Sequence, residues 1–166
     1  METVYFKGTP CHTYGNLPPV GEKAPCFTLV DQNLKEIRCN DFLGRKVVLN
    51  IFPSLDTDVC AASVRRFNKE AASIPDVAVI CVSMDLPFAA KRFCTAEGID
   101  NLVVASAFRS PMFAQKYGLQ LVDGPLAGLL ARAVIVIDGD LRILYEELVD
   151  EISNEPDYRA ALAALK

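Results

Sequence analysis

The sequence predicts an α/β fold: a parallel sheet with helices on both faces, an antiparallel hairpin near its end and another hairpin at its N-terminus. Three observations predict it. The run Val77 to Ser83 is apolar without alternation, the mark of a parallel strand buried on both faces. Cys60, Val64, Phe67, Ala71 and Ile74 recur at helical spacing and form one stripe. Strand and helix patterns then alternate along the chain, which gives right-handed crossovers and a layered sheet.

The elements follow in order. Thr3 to Lys7 alternates as a strand, Gly8-Thr9-Pro10 turns it, and Cys11 to Tyr14 returns. Leu17 to Gly21 is a loop. Phe27 to Val30 is a short strand, and Asp31-Gln32-Asn33 turns it into Lys35 to Cys39. Gly44 precedes the strand Lys46 to Phe52. Val59 to Ser73 is the first long helix, with its stripe on the sheet and Arg65, Arg66 and Lys69 outward. After Val77 to Ser83, Asp85 caps a helix opened by Pro87 and closed by Gly98. Leu102 to Ser106 is a strand, and Pro111 to Tyr117 is a short helix ended by Gly118. Val122 to Gly128 is a Gly-rich loop. Ala133 to Ile137 and Leu141 to Leu148 form a hairpin about Asp138-Gly139-Asp140, and Pro156 to Leu165 is the last helix. A thioredoxin-like fold with an added N-terminal hairpin satisfies this order, as one domain over residues 1–166.

Composition excludes several functions. The chain has 166 residues, 51% hydrophobic, with a net charge of −4, and no basic stripe interleaved with aromatics, so nucleic acid is not its expected partner. No apolar run approaches the roughly 20 residues of a membrane helix, and the first residues are too polar for a secretory signal. The expected compartment is the cytoplasm. Cys11, Cys26, Cys39, Cys60, Cys81 and Cys94 are an even set, but disulfide frameworks staple small secreted domains. Neither dithiol nor zinc-ribbon spacing occurs, so no metal or other cofactor is expected. The one histidine, His12, falls in the N-terminal hairpin, away from any catalytic pairing.

The chemistry concentrates in Pro53-Ser54-Leu55-Asp56-Thr57-Asp58-Val59-Cys60. A strand ends, a turn intervenes, and a cysteine enters the first turn of a helix. Free amide N–H groups and the helix dipole favour a negative sulfur there, and the thiolate is the nucleophile. Pro53 can shield the sulfur. Thr57, three residues earlier, can bring its hydroxyl near it. Arg132, at a strand start, can supply a fixed cation. Asp58 adds an opposing negative charge one turn from the sulfur, while also suiting the helix N-terminus. Asp56 and Thr57 are also good helix caps, and a plain capped helix start accounts for this octet equally well on its own.

Pro53-x-x-x-Thr57-x-x-Cys60 resembles the peroxiredoxin signature. Asp85-Leu86-Pro87-Phe88-Ala89, Arg92-Phe93-Cys94, Asp123-Gly124-Pro125-Leu126, Ala131-Arg132-Ala133, Val149-Asp150-Glu151-Ile152 and Glu155-Pro156-Asp157-Tyr158 together resemble one subgroup, the bacterial thiol peroxidases, which are atypical two-cysteine peroxiredoxins. The resemblance spans about Val4 to Leu165. It implies a peroxidase of hydrogen peroxide and alkyl or lipid hydroperoxides. Cys60 is then the peroxidatic nucleophile, Thr57 and Arg132 complete the catalytic set, and Pro53 closes the pocket. It implies Cys94 as resolving cysteine, an intrachain disulfide, thioredoxin as reductant and a homodimer.

Cys94 falls on a mixed helix face that another sulfur can reach. Disulfide bridging needs Cα atoms within about 7 Å, so Asp56 to Val64 is expected to unwind during turnover. Cys81 reads as an inert core residue, and Cys11, Cys26 and Cys39 as packing or incidental crosslinks. Phe27, Phe52, Phe88, Phe108 and Phe113 are candidates for either an interface or the core. A peroxidase without a resolving cysteine, and a redox-responsive binding module, remain the alternatives.

Overall fold

Period-two burial organises the centre of the molecule. In the strand Lys46–Ile51, Val47, Leu49 and Ile51 enter one apolar cluster while Val48 enters another. Val77–Ser83 and Ala133–Ile137 repeat the pattern, with Ala78, Ile80, Val82, Ala133, Ile135 and Ile137 on the first side and Val77, Val79, Cys81, Val134 and Val136 on the second. A sheet covered on both faces needs apolar residues at every position, which is why these strands read as unbroken runs.

The computed structural model describes all 166 residues. Its strands are Thr3–Phe6 (β1), Thr9–His12 (β2), Thr28–Asp31 (β3), Glu36–Arg38 (β4), Lys46–Ile51 (β5), Val77–Ser83 (β6), Val103–Ser106 (β7), Ala133–Ile137 (β8) and Ile143–Leu148 (β9). Its helices are Asp58–Glu70 (α1), Pro87–Glu97 (α2), Pro111–Lys116 (α3) and Tyr158–Ala163 (α4). β1 and β2 form their own hairpin, and the other seven strands form one sheet in the order β4-β3-β7-β6-β5-β8-β9. This is the expected thioredoxin-like arrangement with an N-terminal hairpin.

The sheet is mixed, which corrects the expectation of a parallel one. Only β5, β6 and β7 run parallel, because only α1 and α2 supply the crossovers that parallel neighbours require. β3 pairs antiparallel with β7, and β8 pairs antiparallel with β5. The direction of β8 matters for the site. Ala133 lies opposite Ile51, so Arg132 stands beside the C-terminal end of β5, where the Pro53 turn begins.

Helices α1, α2 and α4 share the second cluster, through Cys60, Val64 and Phe67, Ala90 and Cys94, and Tyr158 and Ala161. Phe67 meets Tyr158 edge-on at 5.3 Å between centroids, a geometry worth about 1 kcal/mol beyond its buried area. The expected outward residues Arg65, Arg66 and Lys69 are exposed. Helix α3 packs on the first cluster with Phe113, Ala114 and Tyr117. Gly118 ends it at φ +69°, where the backbone of Asn16 crosses so closely that no Cβ would fit.

The N-terminal turn differs from its expected place. It is Lys7-Gly8, with Phe6 opposite Thr9, so Thr9 and Pro10 already belong to β2. Such a two-residue turn needs positive φ at both positions, and Lys7 (φ 51°) and Gly8 (φ 82°) have it. The Glu151 carboxylate holds this conformation by accepting from the amides of Lys7 (2.9 Å) and Gly8 (3.1 Å). The hairpin is docked further by Tyr5 on Asp150 and Ile152, and by His12 Nδ1 at 2.7 Å from Asp123.

Two further local expectations are corrected, and the choice left open for Cys26 and Cys39 is decided. The helix α2 is not capped by Asp85: its N-cap is Leu86, without a side-chain bond, and the Asp85 carboxylate is engaged elsewhere. Cys26 and Cys39 are joined in a disulfide, with Cα atoms 5.3 Å apart; β3 and β4 pair through Thr28 and Arg38, which brings the flanking cysteines within bonding reach. Cys94 is buried (7% exposed) with Ala90 in the second cluster, since α2 turns that side of its mixed face onto the sheet. Phe27, Phe52 and Phe113 are core, whereas Phe88 and Phe108 are exposed. No helix is long and apolar enough to cross a membrane.

Candidate active site

β5 ends at Ile51, and Pro53, having no amide hydrogen, cannot extend the ladder. The chain turns through Ser54 and Leu55 and enters α1 with Thr57 as N-cap. Cys60 lies one turn in, on the face that the helical stripe turns to the sheet, and is fully buried. Asp58 occupies the first helical position and is exposed, where a negative charge suits the helix dipole.

The sulfur of Cys60 has one strong partner. Arg132 Nη2 donates to Cys60 Sγ at 3.1 Å, and Arg132 Nε donates to the Ile152 carbonyl at 2.8 Å. The second terminal nitrogen, Nη1, is buried without any partner. Arg132 is only 2% exposed, and no carboxylate pairs with it among the ion pairs. A buried cation without a counter-anion is costly, and the Cys60 sulfur is the side-chain group in contact with this one. The unpaired Nη1 is a donor held ready for a further oxygen.

Thr57 and Pro53 share a cavity of about 290 Å³ with Arg132, Asp58 and Val59. The Thr57 hydroxyl donates to the Ser54 carbonyl at 3.0 Å and makes no bond to the sulfur, contrary to the expected approach; its oxygen remains available as an acceptor. Neither Asp56 nor Thr57 caps α1 through its side chain, so the turn is not explained as a capped helix start. Phe6, Leu126, Leu129 and Ile152 line its apolar side, and Lys7, Ser54 and Ser153 complete the wall. The apolar four come from the N-terminal hairpin, the Gly-rich loop and the segment after β9, none of which the sequence marks as cavity-lining. For Leu126, Leu129 and Ile152 the available signal was their place in or near the motif stretches Asp123–Leu126 and Val149–Ile152; Phe6 had none.

Behind the sulfur, Asn50 interrupts the apolar pattern of β5. Its Nδ2 donates to Ser63 Oγ at 3.0 Å, and Ser63 Oγ donates to the Cys60 carbonyl at 2.7 Å. This buried relay fastens the first turn of α1 to the sheet, and sequence reasoning missed both residues. Cys94 and Cys81 lie in the same apolar cluster as Cys60, all as free thiols. Burial raises both, Cys81 to about 12, and keeps them neutral. His12 takes no part, being bound to Asp123.

Residues 19–162 match the Redoxin family. The chain is 55% identical to a thiol peroxidase of Corynebacterium glutamicum and 53% identical to one of Mycobacterium bovis, each over 99% of both chains. Among solved structures, a peroxiredoxin-like protein from Aquifex aeolicus superposes with a TM-score of 0.94 at 40% identity, covering 99% of this chain and 96% of that one.

Proposed function

The chain belongs to the Redoxin family and, within it, to the thiol peroxidases, and from there we propose that Cys60 is the peroxidatic nucleophile and Cys94 its resolving partner. The observation that carries this reading is the Arg132 guanidinium, which touches the Cys60 sulfur with one nitrogen and leaves the next unpaired.

The Cys60 thiolate attacks the nearer oxygen of a hydroperoxide bound in the cavity. The O–O bond breaks, Cys60 becomes a sulfenic acid, and the other oxygen takes a proton and leaves as water or an alcohol. Arg132 Nη1 donates to the oxygen on which charge grows, the geometry in which one donor lowers a barrier by roughly 3 kcal/mol. Thr57 offers an acceptor to the hydroperoxide proton. Pro53, buried at the mouth of the turn, limits water. The apolar wall of Phe6, Val59, Leu126, Leu129 and Ile152 supports alkyl and lipid hydroperoxides as substrates beside hydrogen peroxide.

The sulfenic acid then condenses with the Cys94 thiol, releasing water and forming a disulfide. Both sulfurs are buried and unbonded to each other in this state, and in this reading Asp56 to Val64 unwinds to bring them together. A dithiol protein, by resemblance thioredoxin, reduces the bond and is itself oxidised. The exposed Phe88 and Phe108 are the phenylalanines left to an interface and support the homodimer that the resemblance implies. Peptide mass spectrometry after one equivalent of peroxide tests the reading: a Cys60–Cys94 crosslink is expected, and thioredoxin-driven turnover should vanish in Cys94→Ser. Full turnover by that variant refutes the intrachain disulfide.

A further inference from the structure

The carboxylate of Asp85 stands outside the reacting set yet grips the turn that carries Cys60. β5 and β6 are parallel neighbours, with Ile51 opposite Val82, so the turns leaving their C-terminal ends run side by side. From the β6 side, Asp85 Oδ1 accepts from Ser54 Oγ at 2.9 Å. Its Oδ2 accepts from the Leu55 amide at 2.7 Å and from Ser83 Oγ at 2.7 Å. Ser54 Oγ in turn accepts from the Asp56 amide at 3.1 Å. Hydrogen bonds to an ionised acceptor are about twice as strong as neutral ones. Ser83 and Leu55 are buried, while Asp85 and Ser54 are half-buried. Beside the apolar packing of Cys60 and Val64 with Ala90 and Cys94, the charged ties of this region to α2 are the surface ion pairs Arg92–Asp56 at 3.4 Å and Arg65–Glu97 at 3.3 Å, and such pairs contribute little.

We propose that Asp85 is a positioning residue that sets the hinge on which the Cys60 turn folds and unwinds, and so decides how the Cys60 sulfenic acid is partitioned. This rests on the Cys60–Cys94 reading above. The clamp closes on Ser54 and Leu55, immediately before the stretch that must unwind. While it holds, the sulfur stays under Arg132, where a hydroperoxide reaches it. When it loosens, Cys60 swings out toward Cys94. The sulfenic acid has two fates. It condenses with the Cys94 thiol and releases water, or it attacks a second hydroperoxide, becoming a sulfinic acid while that hydroperoxide leaves as an alcohol or water. A firmer clamp prolongs exposure to the second fate.

The test measures two quantities in each variant: the second-order rate of Cys60 oxidation, and the ratio of sulfinic acid to Cys60–Cys94 disulfide in excess peroxide without reductant. Asp85→Ala populates the unwound turn, so attack slows while resolution gains. Each quantity is expected to fall about tenfold, the equivalent of one lost charge-assisted hydrogen bond. Asp85→Asn, which keeps an acceptor for the Leu55 amide, should restore most of both. Ser54→Ala removes the hydroxyl's bonds to Asp85 and from the Asp56 amide but leaves the Leu55 and Ser83 bonds to Asp85 in place, and should move both the same way by less; it carries the test if Asp85→Ala does not fold. A merely structural role lowers the active fraction and leaves the ratio alone. Crosslinked wild type with an unchanged ratio in every folded variant overturns the role of Asp85 only. Wild type without the Cys60–Cys94 crosslink overturns the underlying reading, and this proposal with it.

Discussion

Replacing Cys26 by Ser opens the Cys26–Cys39 disulfide and should cost this protein a measurable share of its stability. The two cysteines are 13 positions apart and flank the paired strands β3 and β4. In the chain-entropy account, a loop of that length restrains the unfolded ensemble by about 3 kcal/mol at 25 °C. The Cα separation of 5.3 Å lies in the ordinary range for a bridge, so native distortion does not subtract from this. Cys26 is exposed and Cys39 is 2% exposed. The serine therefore meets water, and the remaining thiol stays in the apolar setting that free cysteine favours. For a chain of this size the loss lowers the thermal midpoint by about 6–12 °C. Urea unfolding monitored by circular dichroism should show the same loss, and a dithiol reductant added to the unsubstituted chain should reproduce it. A midpoint within about 2 °C of the parent, in both the variant and the reduced protein, would refute the reasoning.

Other outcomes follow from the site and the hairpin. Arg132→Lys should lower kcat/KM for peroxide by about 10²-fold or more, because a single nitrogen cannot reproduce the planar fork that spreads donors to the sulfur, the Ile152 carbonyl and an incoming oxygen; steady-state kinetics with less than a threefold change would remove Arg132 from the mechanism. Leu126→Ala trims the apolar wall and should raise KM for a bulky alkyl hydroperoxide by about tenfold while leaving hydrogen peroxide nearly unaffected; equal effects on both substrates would count against substrate binding there. The Glu151 carboxyl lies below its ordinary value, first because the Lys7 amide donates to it. Its folded form therefore adds stability above the unfolded value near 4.5, and that stability disappears as pH falls through the lower folded value. Amide exchange at Lys7 and Gly8 should accelerate across that acid window in the parent and be fast throughout in Glu151→Gln; identical profiles would show that the turn holds itself.

Much of this was legible in the chain itself. The unbroken apolar runs named the central strands, the Cys60–Val64–Phe67–Ala71 stripe named the face of α1, and the Pro53–Cys60 octet named the turn that we propose reacts. These are local properties, set by side-chain period and by where proline and the helix N-terminus stand in sequence. What escaped depended on partners far away along the chain. The Lys7-Gly8 turn was unreadable because lysine adopts positive φ only with a distant Glu151 carboxylate to hold its amide. The same holds for Asp85, whose composition suggested a helix cap until the neighbouring turn of β5 claimed its oxygens.

By itself the sequence determined which residues could be strand, helix and nucleophile, since burial period and backbone chemistry act over a few residues. Only the tertiary structure decided that β8 enters antiparallel beside β5. That direction carries Arg132 across 72 positions to within 3.1 Å of Cys60. It also joined Cys26 to Cys39 and turned Cys94 inward. Strand order and direction are chosen by how all the apolar faces can be covered at once, and no short stretch of chain contains that information.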